Sequence, residues 1–198
     1  MTDLFQPKLV QRLASQLISQ KISLLSNFDQ QVLLNPALAA GYRVAICDES
    51  VSLPFVMDSE LVRRASVFAN APLQTRPRLI FDYLCERISY GTQRRRSDID
   101  YAAGMEVWKN KQGICGEMTY LYVSMARFAG LRANYASVRR DYTGKSVQHA
   151  CALVQQQNSQ KSSRSILVDL AYRKFDIAHK SWKQINDEQV WELFKSWR

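Results

Sequence analysis

The order of hydrophobic patterns along the chain constrains its fold more than any other feature. Residues 116–129 place apolar side chains on one helical face, and Gly130 marks the end of that helix. Three segments beyond Gly130 have the short apolar character of strands, namely Asn134–Val138, His149–Val154 and Ser165–Leu170. Because helical patterns come mostly before these strands, the sequence predicts an α+β fold with an antiparallel sheet.

Other helices are indicated by apolar residues three to four positions apart and by flanking proline and glycine. They span residues 7–27, 58–70, 77–90, 101–111 and 187–198. The first of these fits either packing on the domain or contact with a partner or membrane surface through its basic side chains. Short strands are expected at Tyr42–Cys47 and Val51–Val56, and loops at Thr92–Asp100 and Gln155–Arg164. We therefore divide the chain into a mostly helical N-terminal extension, residues 1–75, and a core, residues 76–198.

The composition is that of a folded globular protein with an excess of positive charge. The 198 residues include 27 lysines and arginines and 18 aspartates and glutamates, for a formal charge of +9. Glycine and proline number only 7 and 5, which argues against a disordered or fibrous chain. No apolar run reaches the roughly 20 residues of a membrane span, and no secretory signal is evident. We expect a cytoplasmic protein, with non-classical export or effector delivery left open.

Positive charge is concentrated in the second half of the chain. Residues 101–198 carry 15 basic and 8 acidic side chains, and local clusters occur at residues 94–96 and 139–140. Such a surface keeps a protein soluble, and it can also attract nucleic acid, anionic lipid or an acidic protein. No nucleic-acid-binding motif accompanies the clusters, so a nucleic-acid partner is not expected.

The four cysteines, Cys47, Cys85, Cys115 and Cys151, contain no CxxC pair. Because the chain has only two histidines, His149 and His179, a zinc site is not expected. A cytoplasmic chain of this length needs no disulfide bonds, so the cysteines are interpreted as free thiols. No metal and no organic cofactor is implied.

Cys115 lies where a loop becomes a helix, between Gly113-Ile114 and Gly116-Glu117. The free amides and the dipole at a helix start stabilise a thiolate, which is the nucleophilic form of cysteine. The amide of Cys115 can also serve an oxyanion site. The alternative for Cys115 taken alone is a buried, unreactive thiol.

A nucleophilic thiol needs a base and a group that orients the base. His149 begins an apolar strand, and Asp169 lies inside another, where an unpaired carboxylate would be costly. If the two strands are neighbours, Asp169 can reach the second ring nitrogen of His149. Each residue alone also fits a structural role, His149 as a hydrogen-bonded core histidine and Asp169 as a turn or cap residue.

The segment Gly113-Ile114-Cys115-Gly116-Glu117, with the helix ending in Gly130-Leu131-Arg132-Ala133, resembles the core of the transglutaminase-like superfamily of thiol enzymes. The Cys-Gly-Glu form is similar to the branch that contains peptide N-glycanases. The later Gln148-His149-Ala150 and Val168-Asp169 segments are similar to the family's His and Asp blocks, and residues 81–90 to its preceding helix. The resemblance covers roughly residues 78–172.

This resemblance implies a papain-like fold with a sheet packed on the Cys-bearing helix, and a Cys115, His149 and Asp169 triad. Members break or exchange amide bonds, mostly through a thioester. Cys151 stands where the family commonly has an aromatic residue, and it fits either a small packing residue or a redox-sensitive thiol. Asn134 stands where the family usually has arginine.

Two functions follow as hypotheses. The first is a thiol hydrolase or acyltransferase acting on amide or isopeptide bonds of a protein or peptide, most simply a cysteine protease or amidase. Its basic charge favours acidic substrates. The second is a non-catalytic binding module on the same fold, using its basic surface to bind an acidic partner or nucleic acid. The sequence leaves the oligomeric state open.

Overall fold

The computed structural model describes residues 44–46, 53–91, 102–157 and 163–196. Within these ranges there are five helices: α1 Ser59–Ala69, α2 Arg76–Cys85, α3 Gly104–Asn110, α4 Cys115–Phe128 and α5 Asp187–Ser196. The nine strands in the same ranges are β1 Ala45–Ile46, β2 Val56–Met57, β3 Ser89–Tyr90, β4 Gln112–Gly113, β5 Arg132–Arg140, β6 Ser146–Gln157, β7 Ser163–Asp169, β8 Lys174–Phe175 and β9 Ser181–Ile185. Helices come mostly before the long strands, which confirms the predicted α+β class.

The main sheet has five strands in the order β8-β7-β6-β5-β9, and all neighbouring strands are antiparallel. Strand β6 is central and pairs with β5 on one side and β7 on the other. Two short parallel pairs, β1 with β2 and β3 with β4, lie outside this sheet. No helix in the described part of the chain is long and apolar enough to cross a membrane.

Helix α4 lies between the sheet and the other helices. It packs on β5 and β6, and it also contacts α1, α2 and α3. Every residue from 116 to 128 is buried. The sequence pattern predicts burial of one apolar face, whereas the structure buries the helix on all sides. Two polar side chains on this helix satisfy their hydroxyls locally, because Thr119 and Ser124 donate to the carbonyls of Cys115 and Tyr120 at 2.7 and 2.8 Å.

Arg127, near the end of α4, is only 1% exposed. Its Nε donates to the Ala133 carbonyl at 2.8 Å, and its two terminal nitrogens bind both carboxylate oxygens of Asp187 at 2.8 and 2.7 Å. The guanidinium also lies 4.4 Å from the ring centroid of Phe55. These contacts join the end of α4 to the start of β5 and of α5.

Several predicted element boundaries were wrong. The helix expected from Pro77 ends at Cys85, because Ser89 and Tyr90 pair instead with Gln112 and Gly113. The loop expected at Gln155–Arg164 is shorter, since β6 continues to Gln157 and β7 begins at Ser163. Strand β9 was missed, because four of its five residues are not buried and it lacks a strong apolar pattern.

Some predictions fall partly or wholly on residues outside the described ranges. These are the helix over 7–27, the loop Thr92–Asp100, and parts of the strands at Tyr42–Cys47 and Val51–Val56. The division into residues 1–75 and 76–198 stays a prediction. Helix α1, which belongs to the 1–75 segment, packs directly on α4 and α2 of the 76–198 segment.

Gly104 allows α3 to approach α4 closely, and this contact is open to test. A Cβ at Gly104 would lie 2.9 Å from the Leu121 Cα and 3.0 Å from the Leu121 nitrogen. Because these are backbone atoms of a buried helix, Gly104→Ala should lower the free energy of unfolding by about 1–3 kcal/mol in urea denaturation. The exposed Asn110→Ala on the same helix is the control, with an expected change within about 0.5 kcal/mol. Equal stability of the two variants would contradict the close approach.

Candidate active site

Cys115 is the first residue of α4, and Ile114 before it has the extended conformation of an N-cap, with φ −87° and ψ 172°. The cysteine is half-buried rather than sealed in the interior. Gly113 is needed for packing, because a Cβ there would lie 3.0 Å from a Val107 methyl group. The chain therefore enters α4 tightly against α3, with the Cys115 sulfur at the positive end of a long buried helix.

Glu117 fixes the start of α4 from within. One of its carboxylate oxygens accepts the N–H of Ile114 at 2.9 Å, and the other accepts the N–H of Ala102 at 2.7 Å. The side chain is buried, at 1% exposure. By bonding to backbone on both sides, it ties the helix start to the segment that leads into α3 and limits movement of Cys115.

His149 and Asp169 meet across neighbouring strands, as the sequence predicts. Their side chains lie on β6 and β7, and His149 Nε2 is 2.6 Å from Asp169 Oδ2. Asp169 is fully buried. Because Nε2 is occupied by the carboxylate, Nδ1 is the ring nitrogen left to face the Cys115 thiol, which lies close enough to raise the pKa of His149. The structure thus brings all three predicted residues together.

The protonated form of His149 is strongly favoured. Burial alone lowers the pKa of His149, but hydrogen bonds to Asp169 and Cys115 outweigh burial and raise that pKa to about 9. An imidazolium is therefore held beside the sulfur at neutral pH. Such a cation favours the thiolate form of a neighbouring cysteine.

Two further residues complete the surroundings of Asp169, and sequence reasoning assigned a site role to neither. The backbone N–H of Tyr172 donates to Asp169 Oδ1 at 2.9 Å, and the Tyr172 ring stacks on His149 with centroids 4.5 Å apart. His179 Nε2 lies 3.0 Å from Asp169 Oδ2. The three-residue spacing from Asp169 to Tyr172 is a turn signal that could have been recognised. Nothing local marks His179.

The donor atoms of His149, Asp169 and His179 lie within 4.8 Å of one another, as in a metal site. However, both histidines approach the same carboxylate oxygen, at 2.6 and 3.0 Å. Ligands of a tetrahedral zinc ion are roughly 3.3 Å apart, given Zn–N and Zn–O bonds of about 2.0–2.1 Å. The spacing therefore fits a hydrogen-bonded network better than a metal centre.

The other described cysteines have unreactive surroundings. Burial raises the pKa of Cys85 to about 11, and burial raises the pKa of Cys151 well above its ordinary value. Cys151 packs with Leu153 and Leu167 on one face of the sheet, and Ile177, which follows β8, packs against the same face. These surroundings fit a packing residue better than a redox-sensitive thiol.

The ionisation of His149 can be measured without a substrate. Its imidazolium contributes stability fully below about pH 6.5, and this contribution is lost as the pH rises through about 9. In a proton NMR titration, one of the two histidine signals should titrate near pH 9 and be identified by its loss in His149→Gln. Asp169→Asn should move that signal towards 6.5. A signal that stays near pH 9 in Asp169→Asn would contradict the pairing.

Comparison with known proteins identifies the family of the chain. No curated protein is similar enough to the chain to be matched. A solved structure from Cytophaga hutchinsonii, described as a candidate cysteine protease, is similar with a TM-score of 0.45 and 13% identity. The match covers 64% of this chain and 48% of that one. The profile of the transglutaminase-like superfamily matches residues 59–165, more than half of the sequence, and the chain therefore belongs to the transglutaminase-like superfamily.

Proposed function

We propose that this protein is a thiol hydrolase or acyltransferase that acts on amide or isopeptide bonds. Cys115 is the nucleophile, His149 is the base and then the acid, and Asp169 orients His149. The observation that carries the proposal is the 2.6 Å contact between His149 Nε2 and the buried Asp169 carboxylate, with the Cys115 thiol close enough to the imidazole to raise the pKa of His149. Membership of the transglutaminase-like superfamily supports the same kind of enzyme.

The geometry supports a specific sequence of proton transfers. The thiol proton passes to His149 Nδ1 before the attack, which gives the imidazolium beside a thiolate, and the Cys115 thiolate then attacks the amide carbonyl carbon. The C–N bond then breaks, the imidazolium gives its proton to the leaving amine, and a thioester forms on Cys115. Water or a second amine attacks the thioester carbonyl carbon while His149 removes its proton, the C–S bond breaks, and sulfur leaves as the thiolate beside the re-formed imidazolium.

The developing oxyanion needs donors near the sulfur. The first N–H groups of a helix lack intrahelical acceptors. The N–H of Ile114 is occupied by Glu117, so it is not available to a substrate. We therefore assign the backbone N–H of Cys115, at the first position of α4, as an oxyanion donor.

Hydrolysis is the simpler outcome, because water is always available to the thioester, and we propose a cysteine protease or amidase. The charge of +9 favours an acidic protein or peptide. Two lysines, Lys174 and Lys180, line a surface depression together with Tyr142 and with Asp176, whose carboxylate is paired with Arg164. Positive charge beside the site supports the preference for acidic substrates.

Selective labelling tests the nucleophile. Iodoacetamide at neutral pH should modify one thiol rapidly, and mass spectrometry of peptides should locate it at Cys115. Cys115→Ala should remove this adduct, and His149→Ala should slow its formation about 10²-fold or more, because proton removal is lost. Cys85→Ala is the matched control and should leave the rate unchanged, since burial raises the pKa of that thiol. Unchanged fast labelling in a folded Cys115→Ala would contradict the proposal.

Product analysis separates hydrolysis from transfer. Incubation of acidic peptides with the protein and a fluorescent primary amine should give shortened or deamidated peptides that carry no amine label. The Asp169→Asn variant should lower the rate about 10³–10⁴-fold, by analogy with loss of the orienting carboxylate in other triads. Amine incorporation as the main product would instead identify an acyltransferase. Binding to acidic peptides without turnover would favour the non-catalytic alternative.

A further inference from the structure

We propose that His179 is a positioning residue of this site, which holds Asp169 in place by donating a hydrogen bond from Nε2 to Oδ2. The inference rests on the proposed roles of Cys115, His149 and Asp169. It adds a second histidine that neither contacts the nucleophile nor shuttles a proton. Its effect on the reaction passes through the carboxylate.

The donors around Asp169 are arranged so that each oxygen is fixed. Oδ1 accepts the N–H of Tyr172 at 2.9 Å, while Oδ2 accepts from His149 at 2.6 Å and from His179 at 3.0 Å. Both carboxylate oxygens therefore have N–H donors, and the three bonds fix the plane of the group. Without His179, Oδ2 would have His149 as its one donor among the described residues, and the Tyr172 N–H would be the remaining contact that positions the carboxylate independently of His149.

The surroundings of His179 determine which nitrogen carries its proton. Its Nδ1 is buried and has no hydrogen-bond partner among the described residues. A proton on Nδ1 would leave a buried donor unpaired, so the single ring proton belongs on Nε2 and points at Asp169. His149, by contrast, has the Cys115 thiol close enough to raise its pKa. The two rings are therefore chemically different although they share one oxygen.

The loop that carries His179 is anchored on both sides. The N–H of Ile177 donates to the Leu167 carbonyl at 3.1 Å, and the N–H of Lys180 donates to the Asp141 carbonyl at 3.2 Å. The His179 side chain is fully buried. Because the His179 side chain is held in one place, its hydrogen bond can fix the position of the Asp169 carboxylate.

The titratable groups in contact with the two histidines are few. His149 is faced by Cys115, Asp169, Tyr172 and His179, and His179 is faced by Asp169, His149, Tyr142 and Tyr172. Burial and the nearby charge of Asp141 raise the pKa of Tyr172, so its phenol is neutral at working pH. The Asp169 carboxylate is thus the negative charge through which a change at His179 reaches His149.

A matched pair of amide substitutions tests the inference. His179→Gln places an N–H near the position of Nε2, whereas His179→Asn places it near Nδ1, too short to reach Asp169. We expect His179→Asn to lower the pH at which the His149 NMR signal titrates by roughly one unit, as the loss of a hydrogen-bonded, oriented partner predicts. The rate of Cys115 alkylation by iodoacetamide at pH 7 should fall about tenfold, and His179→Gln should restore most of both values.

Controls separate this role from simple packing. Ile177→Val, in the same anchored loop, removes one buried methyl group and no donor to Asp169, and it should change neither measurement. If His179→Asn does not fold, His179→Phe keeps the ring shape without the donor and should show the same loss. A His149 titration that is unchanged or shifted upward in a folded Asn or Phe variant would overturn the inference. So would equal loss in the Gln variant. Because wild-type Cys115 labelling is measured in parallel, its absence would count against the proposed function instead.

Discussion

Helix α4, which carries the proposed nucleophile Cys115, is fixed near both of its ends by the buried side chains of Glu117 and Arg127. At the N-terminus, Glu117 bonds backbone N–H groups on two segments, and near the C-terminus Arg127 binds Asp187 and the Ala133 carbonyl. Breaking the Arg127–Asp187 pair should cost about 3–5 kcal/mol, because the buried guanidinium is then left without its carboxylate. The helix therefore resists sliding, and Cys115 at its first residue stays at a fixed position against the sheet.

The sheet supplies the second half of the site through a buried carboxylate. An isolated carboxylate in an apolar strand would be destabilising, so Asp169 is retained only with a full set of donors. Those donors are Tyr172, His149 and His179, which come from the turn after β7, from β6 and from the segment before β9. The buried Asp169 carboxylate is therefore hydrogen-bonded by three separate parts of the chain. Its hydrogen bond to His149 helps to raise the pKa of that histidine.

The sequence carried the local part of this arrangement and missed the part that depends on tertiary contacts. Helix α4, the strands and the Cys115, His149 and Asp169 set could be predicted, because spacing, glycine punctuation and family resemblance are all local signals. Arg127 could not, since its carboxylate partner lies 60 residues away and an arginine on a helix is ordinarily placed in solvent. Strand β9 forms by pairing with β5, and its mostly exposed side chains show no clear alternation.

His179 shows the same limit most clearly. In the sequence His179 is one of only two histidines, too few to indicate a zinc site, and no motif near it marks a functional site. Its relation to Asp169 arises only when the antiparallel sheet and the anchored 177–180 loop bring both to one point. There the environment of Nδ1 decides the outcome. His149 lies close to the Cys115 thiol, with which we propose that it exchanges a proton, whereas His179 Nδ1 has no hydrogen-bond partner among the described residues, which leaves Nε2 as its donor to Asp169. Both histidines contact the same oxygen of Asp169 through Nε2. We therefore infer that their different roles come from the different surroundings of their Nδ1 atoms.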